Sequence, residues 1–436
     1  MVWKRLLGKE AVVLQDVEFR FLLLSNAIVA TVNAAVSPIL DTLTGPFGVS
    51  PTEIGLMISV VFVPAVLLIP VSGIVAGRTG TKPVLIASLL LFGTAGMAIA
   101  FTTEFWLVLV FRFLQGIGFA GTIPVIIAAL GELYEDEKQT ASQGFRFAVS
   151  GGAQGLFPIL SGILVIVAWQ APFFLFALAL PIALLMAFRY EETARSSNQD
   201  KETETKNKKP EADVDAASIR FDSMDAYLPT LLTALREPKV GLVIVAHALV
   251  MVSYISFITY NSIIVIRSIG GTSSHAAILV TTVSFLYAAS ATQAGRIARI
   301  FSGRYLPLSA ACLGTGVGLV TFASAPSIIV AMLGIALLGC TYGITGSLFR
   351  SLIIDVSPLS LREGIVGCSE SILMSSAVLT PVVVGFAVGL LEPDLGTVTA
   401  LQLILTVTGL SAATVACLCV LGARRSAAIA LPRLSE

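Results

Sequence analysis

Charge is what this sequence has least of. Only 12% of its 436 residues are Asp, Glu, Lys or Arg, against about a quarter in ordinary soluble domains. Hydrophobic residues make up 56%, with a mean hydropathy of +0.91. A water-soluble fold cannot hide that much apolar surface, so the bilayer must be the main solvent. Histidine is almost missing, with only His247 and His275, and no paired acid and histidine stand together, which argues against a membrane-embedded enzyme. No Gly-x-x-x-x-Gly-Lys-Ser/Thr loop is present and no polar segment could form a nucleotide domain, which disfavours an ATP-driven pump. The period-2 alternation of a membrane barrel is also missing. Basic and acidic residues cancel at 27 each, leaving no bulk attraction to nucleic acid. The five cysteines all lie in apolar runs of the second half without metal-ligand spacing, and read as small hydrophobes. No metal or cofactor is expected.

What is present is a succession of long apolar runs. A helix needs about 20 apolar residues to cross the hydrocarbon. Twelve such runs are predicted, near 21–43, 54–76, 83–102, 105–131, 140–167 and 171–188, then 240–266, 276–297, 305–324, 326–354, 364–390 and 398–422. The expected fold is therefore an all-α integral membrane protein with twelve transmembrane helices in two pseudo-symmetric six-helix bundles, 1–188 and 240–422. A tail, 423–436, follows. Residues 1–20 are charged and read as a cytoplasmic segment rather than a cleavable leader. Placing the N-terminus inside puts 23 of the 27 Lys and Arg on the inner side and only Arg267 on the outer, with Arg112, Arg146 and Arg350 within spans. That bias predicts both termini to be cytoplasmic.

Residues 189–239 break the apolar pattern. Within them 193–218 is polar, charged and poor in aromatics, the composition of a disordered linker. Beyond it, Asp222 or Ser223 could cap a short amphipathic helix carrying Met224, Leu228, Leu231, Leu232 and Leu235, suited to the inner membrane surface. The linker divides the spans six and six, and the halves match. At an offset of 223 residues Gly116 meets Gly339, Gly144 meets Gly367, Pro158 meets Pro381, Gly162 meets Gly385 and Glu132 meets Asp355. At 222, Gly73 meets Gly295 and Ala76 meets Ala298. A duplicated six-helix unit with a central site between its copies is a known transporter plan.

The loop after the second run reads Gly73-Ile-Val-Ala76-Gly77-Arg78-Thr-Gly80-Thr-Lys82. It resembles the Gly-x-x-Ala-Asp-Arg-x-Gly-x-Arg/Lys signature of the major facilitator superfamily, with Gly77 where that family has Asp. The second copy, around Gly295, Ala298, Arg299, Gly303 and Arg304, is more degraded. Arg112-Phe-Leu-Gln115-Gly116 resembles a second signature of the family. The run Gly155-Leu-Phe157-Pro158-Ile-Leu-Ser161-Gly162 is similar to the motif of its drug/proton antiporter branch, with Phe157 and Ser161 replacing two glycines. The resemblance implies a monomeric secondary transporter in the plasma membrane, working by alternating access on a small molecule, with proton-coupled efflux as the leading mode. A facilitator or importer of a small metabolite, anionic ones included, is the alternative, as is a transporter-like receptor or scaffold. It also implies that spans 1, 4, 7 and 10 surround the cavity and that the loop motif forms an inner gate.

Polar side chains inside spans normally face protein or water. Those in spans 1, 4, 7 and 10 are therefore the candidates for a substrate cavity: Asn33, Arg112, Gln115, His247, Tyr254, Asn261 and Tyr342. For each, a helix–helix hydrogen bond is the competing reading, and His247 and Arg112 suit that role as well. Glu370 is the carboxylate clearly inside a span, with Arg146 and Arg350 at comparable depth. The three form either a structural salt bridge or a proton-coupling centre. Glu132 and Asp355 end spans 4 and 10, where a carboxylate opposes the helix dipole unless paired. Arg78 or Lys82 is the expected partner of Glu132, and Arg299 or Arg304 that of Asp355.

Overall fold

Hydrogen bonding dictates the architecture, because no water is available in hydrocarbon to satisfy a free backbone group. The computed structural model describes residues 14–134, 136–190, 224–301, 303–358 and 361–430, and every regular element among them is helical. The first half contains α1 (Val17–Ala30), α2 (Leu40–Phe47), α3 (Leu56–Val60), α4 (Val63–Thr79), α5 (Thr81–Ala98), α6 (Phe105–Leu133), α7 (Asp136–Val167) and α8 (Ala179–Arg189). The second contains α9 (Met224–Arg236), α10 (Pro238–Ile263), α11 (Ser273–Ile300), α12 (Tyr305–Ala323), α13 (Ile328–Val356), α14 (Arg362–Leu395) and α15 (Thr397–Ala430). Among the described residues ten helices are long and apolar enough to cross a membrane, at the places of predicted spans 3 to 12. Large apolar side chains such as Phe188, Ile329 and Phe386 are 70% or more exposed. Single exposed hydrophobes mean little, but a belt of them on spanning helices is a lipid-facing surface.

The first two predicted spans are not continuous helices, a correction to the sequence reading. Run 21–43 holds α1, a turn at 31–36, a 3₁₀ segment Ser37–Ile39 and then α2. Run 54–76 holds the five-residue α3, a two-residue break and α4. Side chains capture the carbonyls that the breaks release. Val36 and Ile39 close tight i→i+3 bonds to Asn33 and Val36, which leaves the carbonyls of Val32 and Ala35 outside the helical ladder. Arg112 Nη1 donates to Val32 O at 3.1 Å, and Ser161 Oγ donates to Ala35 O. Thr31 Oγ1 donates to Ile28 O at 2.6 Å. Arg112 Nε also reaches Met57 O at 2.8 Å, in the short α3 whose last carbonyls have no ladder partner. One fully buried guanidinium thus ties both interruptions to α6.

The repeat is visible in close contacts. A Cβ on Gly116 of α6 would strike the carbonyl of Val61, and one on Gly339 of α13 would lie 3.0 Å from the carbonyl of Val283. The two glycines are repeat partners, and so are the valines within one residue. Gly162 of α7 packs on Ser273 O, and Gly385 of α14 packs on Thr52 O, each at 3.2 Å from a virtual Cβ, so these matched contacts cross between the halves. Gly80, at φ 96°, is the single residue joining α4 to α5, a backbone angle that side chains with a Cβ rarely tolerate.

The linker predicted at 193–218, with Asp222 and Ser223, lies outside the described residues. The amphipathic helix is α9, with Leu231 buried and Leu232 exposed. Arg112 generates the stability prediction of this fold. Arg112→Leu takes the donor from two buried backbone carbonyls and from the amide oxygens of Asn33 and Gln115. The two backbone carbonyls alone cost about 1–3 kcal/mol each, so the purified protein should lose at least about 2–6 kcal/mol and unfold at a clearly lower temperature by intrinsic fluorescence. Arg112→Lys should recover little of it, since an ammonium has three donors and no planar fork. A melting temperature unchanged in Arg112→Leu would contradict this role.

Candidate functional site

Between the halves lies a cavity of about 260 Å³ with walls from both. Asn26 comes from helix α1 and Asn33 from the turn after it, Arg146 and Ser150 from α7, Tyr254 from α10, Tyr287 from α11 and Arg350 from α13. The cavity is aromatic on the side of the second half. Tyr254 stacks on Tyr342 at 4.3 Å with an interplanar angle of 5°, and Tyr287 leans on Tyr342 at 5.5 Å. On the other side Phe62 meets Phe119 edge to face at 5.8 Å, the favoured geometry for ring quadrupoles.

Two guanidiniums from opposite halves reach this space. Arg146 is 7% exposed. Its Nε donates to Gln143 Oε1 at 2.8 Å and its Nη1 to Asn26 Oδ1 at 3.4 Å, and the cation sits 4.4 Å above the Phe147 ring. Asn26 is held in turn by donating Nδ2 to Ser150 Oγ and to Arg146 O. Arg350 Nε lies 3.3 Å from Glu370 Oε1. The Arg350 side chain is 48% exposed even though it stands six residues before the end of α13 at Val356. Solvent therefore enters the molecule from the end where α13 and α4 finish.

The sequence candidates separate into three groups. Asn33 and Tyr254 line the cavity, as do Arg146 and Arg350, while Tyr342 forms the layer behind Tyr254 with its hydroxyl 3.1 Å from Met251 Sδ. Arg112 and Gln115 are buried behind the wall, where Gln115 Oε1 accepts from Arg112 at 2.6 Å. His247 stacks on Phe349 at 5.0 Å, and Asn261 donates to Ala276 O at 2.9 Å, so both serve helix contacts. Each of the expected cavity spans 1, 4, 7 and 10 contributes to the wall, through Asn33, Phe119, Tyr254 and Arg350, and spans 2, 5, 8 and 11 add Phe62, Arg146, Tyr287 and Met374. Sequence reasoning missed Tyr287, which lies in predicted span 8 outside the four spans expected to line the cavity, and Phe62, whose apolar ring carries no signal of facing a cavity. Pro158 and Gly155 lie on α7, where Gly155 O accepts from Thr281 Oγ1 at 2.6 Å.

At the open end Asp355 is ion-paired with Arg304. Arg299 and Arg304 border a second recess of about 520 Å³ between α11 and α13. Arg78 is exposed at the end of α4, Gly73 lies within α4, and Lys82 begins α5. The side chain of Glu132 lies outside the described residues.

Among the described residues, most hydrogen bonds joining one half to the other gather at the opposite end, with Thr281 to Gly155 O lying deeper between α11 and α7. Ser37 Oγ donates to Ile258 O at 2.5 Å, Thr42 pairs with Ser273 at 2.9 Å, and Ser274 donates to Gly162 O at 3.3 Å. Arg267 bridges Asp41 at 2.5 Å and Thr44 at 3.3 Å. This end is closed and the other is open. Partly exposed pairs contribute about 0.2–1 kcal/mol. Arg267→Gln should thus favour opening of the closed end by roughly 1.4- to 5-fold. A cysteine replacing Ser150 checks this: it should react from the open end in the parent and become reactive from the closed end with Arg267→Gln. No gain in reactivity from that side would show that the bridge does not hold it shut.

Comparison with known proteins agrees with this architecture. The description "Major Facilitator Superfamily" matches residues 22–265. The bacillibactin exporter of Bacillus subtilis (strain 168) is 32% identical over 148 residues, 32% of this chain and 37% of that protein. The niacin transporter NiaP of Acinetobacter baylyi is 34% identical over 94 residues, 22% of this chain and 21% of that protein. The chain thus spans well under half the length of these curated relatives in their matched regions. A bacterial homologue of the human lysosomal transporter Spinster, in an inward-facing and unoccupied conformation, superposes with a TM-score of 0.76 at 13% identity, over 94% of this chain and 98% of that one. The likeness of fold extends along the molecule and the family match takes in more than half of its residues, so the chain belongs to the Major Facilitator Superfamily.

Proposed function

We propose that this protein is a secondary transporter that moves a small molecule across the plasma membrane by alternating access, coupled to protons. The observation that carries the proposal is a charged, aromatic cavity between the halves, closed at one end by a few exchangeable hydrogen bonds. In this reading the two interrupted helices count as spans 1 and 2, which gives twelve spans in two pseudo-symmetric bundles, 1–188 and 240–422. The matched contacts of Gly116 with Val61 and Gly339 with Val283 support it. The open end carries the excess of Lys and Arg, so by the positive-inside rule it faces the cytoplasm together with both termini. The cavity is then inward-facing. Glu132 with Arg78 or Lys82 would help close that side in the opposite state, whereas the pair of Asp355 with Arg304, both in the second half, is already made with this side open.

Glu370 is the proposed coupling group. Ionised, it accepts from Arg350 across 3.3 Å. Protonated, it can no longer hold the guanidinium as an ion pair, and Arg350 is released toward the cavity it lines. A rocking of the halves that makes and breaks this contact would load and unload a proton. One charge moved through 100 mV is worth about 2.3 kcal/mol, enough for roughly 50-fold accumulation. Export is the favoured direction, from the span-5 motif and from the relative named as an exporter. Uptake of an anionic metabolite is the second reading, favoured by the cationic character of the cavity.

Flux in proteoliposomes under an imposed pH gradient tests the proposal. The parent protein should concentrate its substrate, and reversing the gradient gives the direction. Glu370→Gln should abolish gradient-driven accumulation while leaving substrate counterflow intact. Accumulation that persists in Glu370→Gln would make Glu370 structural. A protein that exchanges no solute in either assay would instead be a receptor or scaffold.

A further inference from the structure

The cavity has a sign. Arg146 is a buried guanidinium whose partners are an amide from Gln143, an amide from Asn26 and the face of Phe147, all neutral. Arg350 has one carboxylate, Glu370. Among the described residues that line the space none is acidic, so its two cations have one carboxylate between them, the Glu370 paired with Arg350. A buried charge left without a counter-charge is costly, and the missing partner is a negative group that enters with the ligand.

A second observation, independent of that charge count, also points to a ligand. Asn33 lies in the cavity wall at 7% exposure, and its Nδ2 has no hydrogen-bond partner. The orientation of the amide is fixed: Oδ1 accepts from Arg112 Nη2 at 2.5 Å, a group that can only donate. Nδ2 is therefore held as a spare donor, and an unmade bond at a buried donor costs about 1–3 kcal/mol. What would satisfy Asn33 is an acceptor, and what would satisfy Arg146 is an anion. A carboxylate is both. The rest of the wall is ring surface, Tyr254 backed by Tyr342 on one side and Phe62 against Phe119 on the other. The volume, about 260 Å³, falls below the roughly 300–1,000 Å³ of pockets for drug-sized ligands, room for a single ring with a short polar group.

We propose that the cavity binds a small monocyclic aromatic carboxylate, with the carboxylate between Arg146 and Arg350, Asn33 as an additional donor, and the ring against Tyr254. This rests on the transporter reading for its purpose, though not on the direction of transport. Arg146 and Arg350 come from opposite halves, so the bound anion would bridge them.

Calorimetric titration of the purified full chain with benzoate, benzamide and benzylamine separates charge from shape, because the three share a ring. A charged acceptor makes the stronger hydrogen bonds, and benzoate should bind about tenfold or more tightly than benzamide, with benzylamine the weakest. Arg146→Gln should remove most of that preference and Arg146→Lys should keep it. Arg350→Gln, which leaves Glu370 unpaired, should raise the affinity for benzylamine relative to benzoate. Equal binding of benzoate and benzamide by the parent protein, no binding of benzoate at millimolar concentration, or an Arg146→Gln variant with the full preference would overturn the proposal. The parent comparison stands even where a variant does not fold. Binding is read without flux. A chain that selects benzoate but transports nothing refutes the transporter reading and keeps the anion site, while one that transports a cation and ignores benzoate does the reverse.

Discussion

The guanidinium of Arg112 is the group on which the first half depends. Spans 1 and 2 depart from helical geometry in the interior of a membrane protein, where each released carbonyl must find a donor. Arg112 supplies donors to Val32, Met57, Gln115 and Asn33 from one planar group. Four of its five N–H groups are used, and none of the acceptors is a carboxylate. The charge is spread over carbonyl and amide dipoles, an arrangement that a lysine could not reproduce. Because Asn33 is one of those acceptors, the same group that holds the backbone also fixes the amide of a residue in the cavity wall. Structure and site are joined at that hydrogen bond.

In the proposed alternating-access cycle the second constraint is that the halves part and rejoin at low cost. Their contacts at the closed end suit this, being two hydroxyl-to-carbonyl bonds, a hydroxyl-to-hydroxyl bond and the Asp41–Arg267 pair among them. Each is worth about 1 kcal/mol or less net, so several can be exchanged for a comparable set at the other end. Small residues at Gly162 and Gly385 let the backbones of opposite halves approach. The glycine contacts within each half, Gly116 on Val61 and Gly339 on Val283, are backbone-tight by comparison. Each half is in this way suited to move as a body.

Much of this was legible in the sequence. Hydropathy located ten helices, since a run of 20 apolar residues has few other uses, and the 223-residue offset marked glycines that the structure places in equivalent contacts. The partner of Asp355 was narrowed to Arg299 or Arg304 by the repeated loop, and the structure has Arg304. The interruptions of spans 1 and 2 were not legible. Thr31-Val-Asn-Ala-Ala-Val36 is as apolar as a helix, and its unwinding depends on donors 80 and 126 residues away in the chain. For the same reason Ser161, read as a departure from a glycine motif, is now seen capping Ala35. Polarity alone could not sort the cavity candidates, because a buried amide that donates to a neighbouring helix, as in Asn261, looks identical in sequence to one in a cavity wall. Tyr287 was missed because it lies in predicted span 8, outside the four spans expected to line the cavity, and Phe62 because an apolar ring gives no such signal.

Hydrogen–deuterium exchange across the breaks tests most directly whether one guanidinium maintains both. In the parent protein, residues 31–37 and 57–62 should be protected despite their irregular backbone. In Arg112→Leu both segments should exchange much faster together, while α13 in the other half keeps its protection. If both segments stay protected without Arg112, the interruptions are held by something else and the account of the site built on them fails.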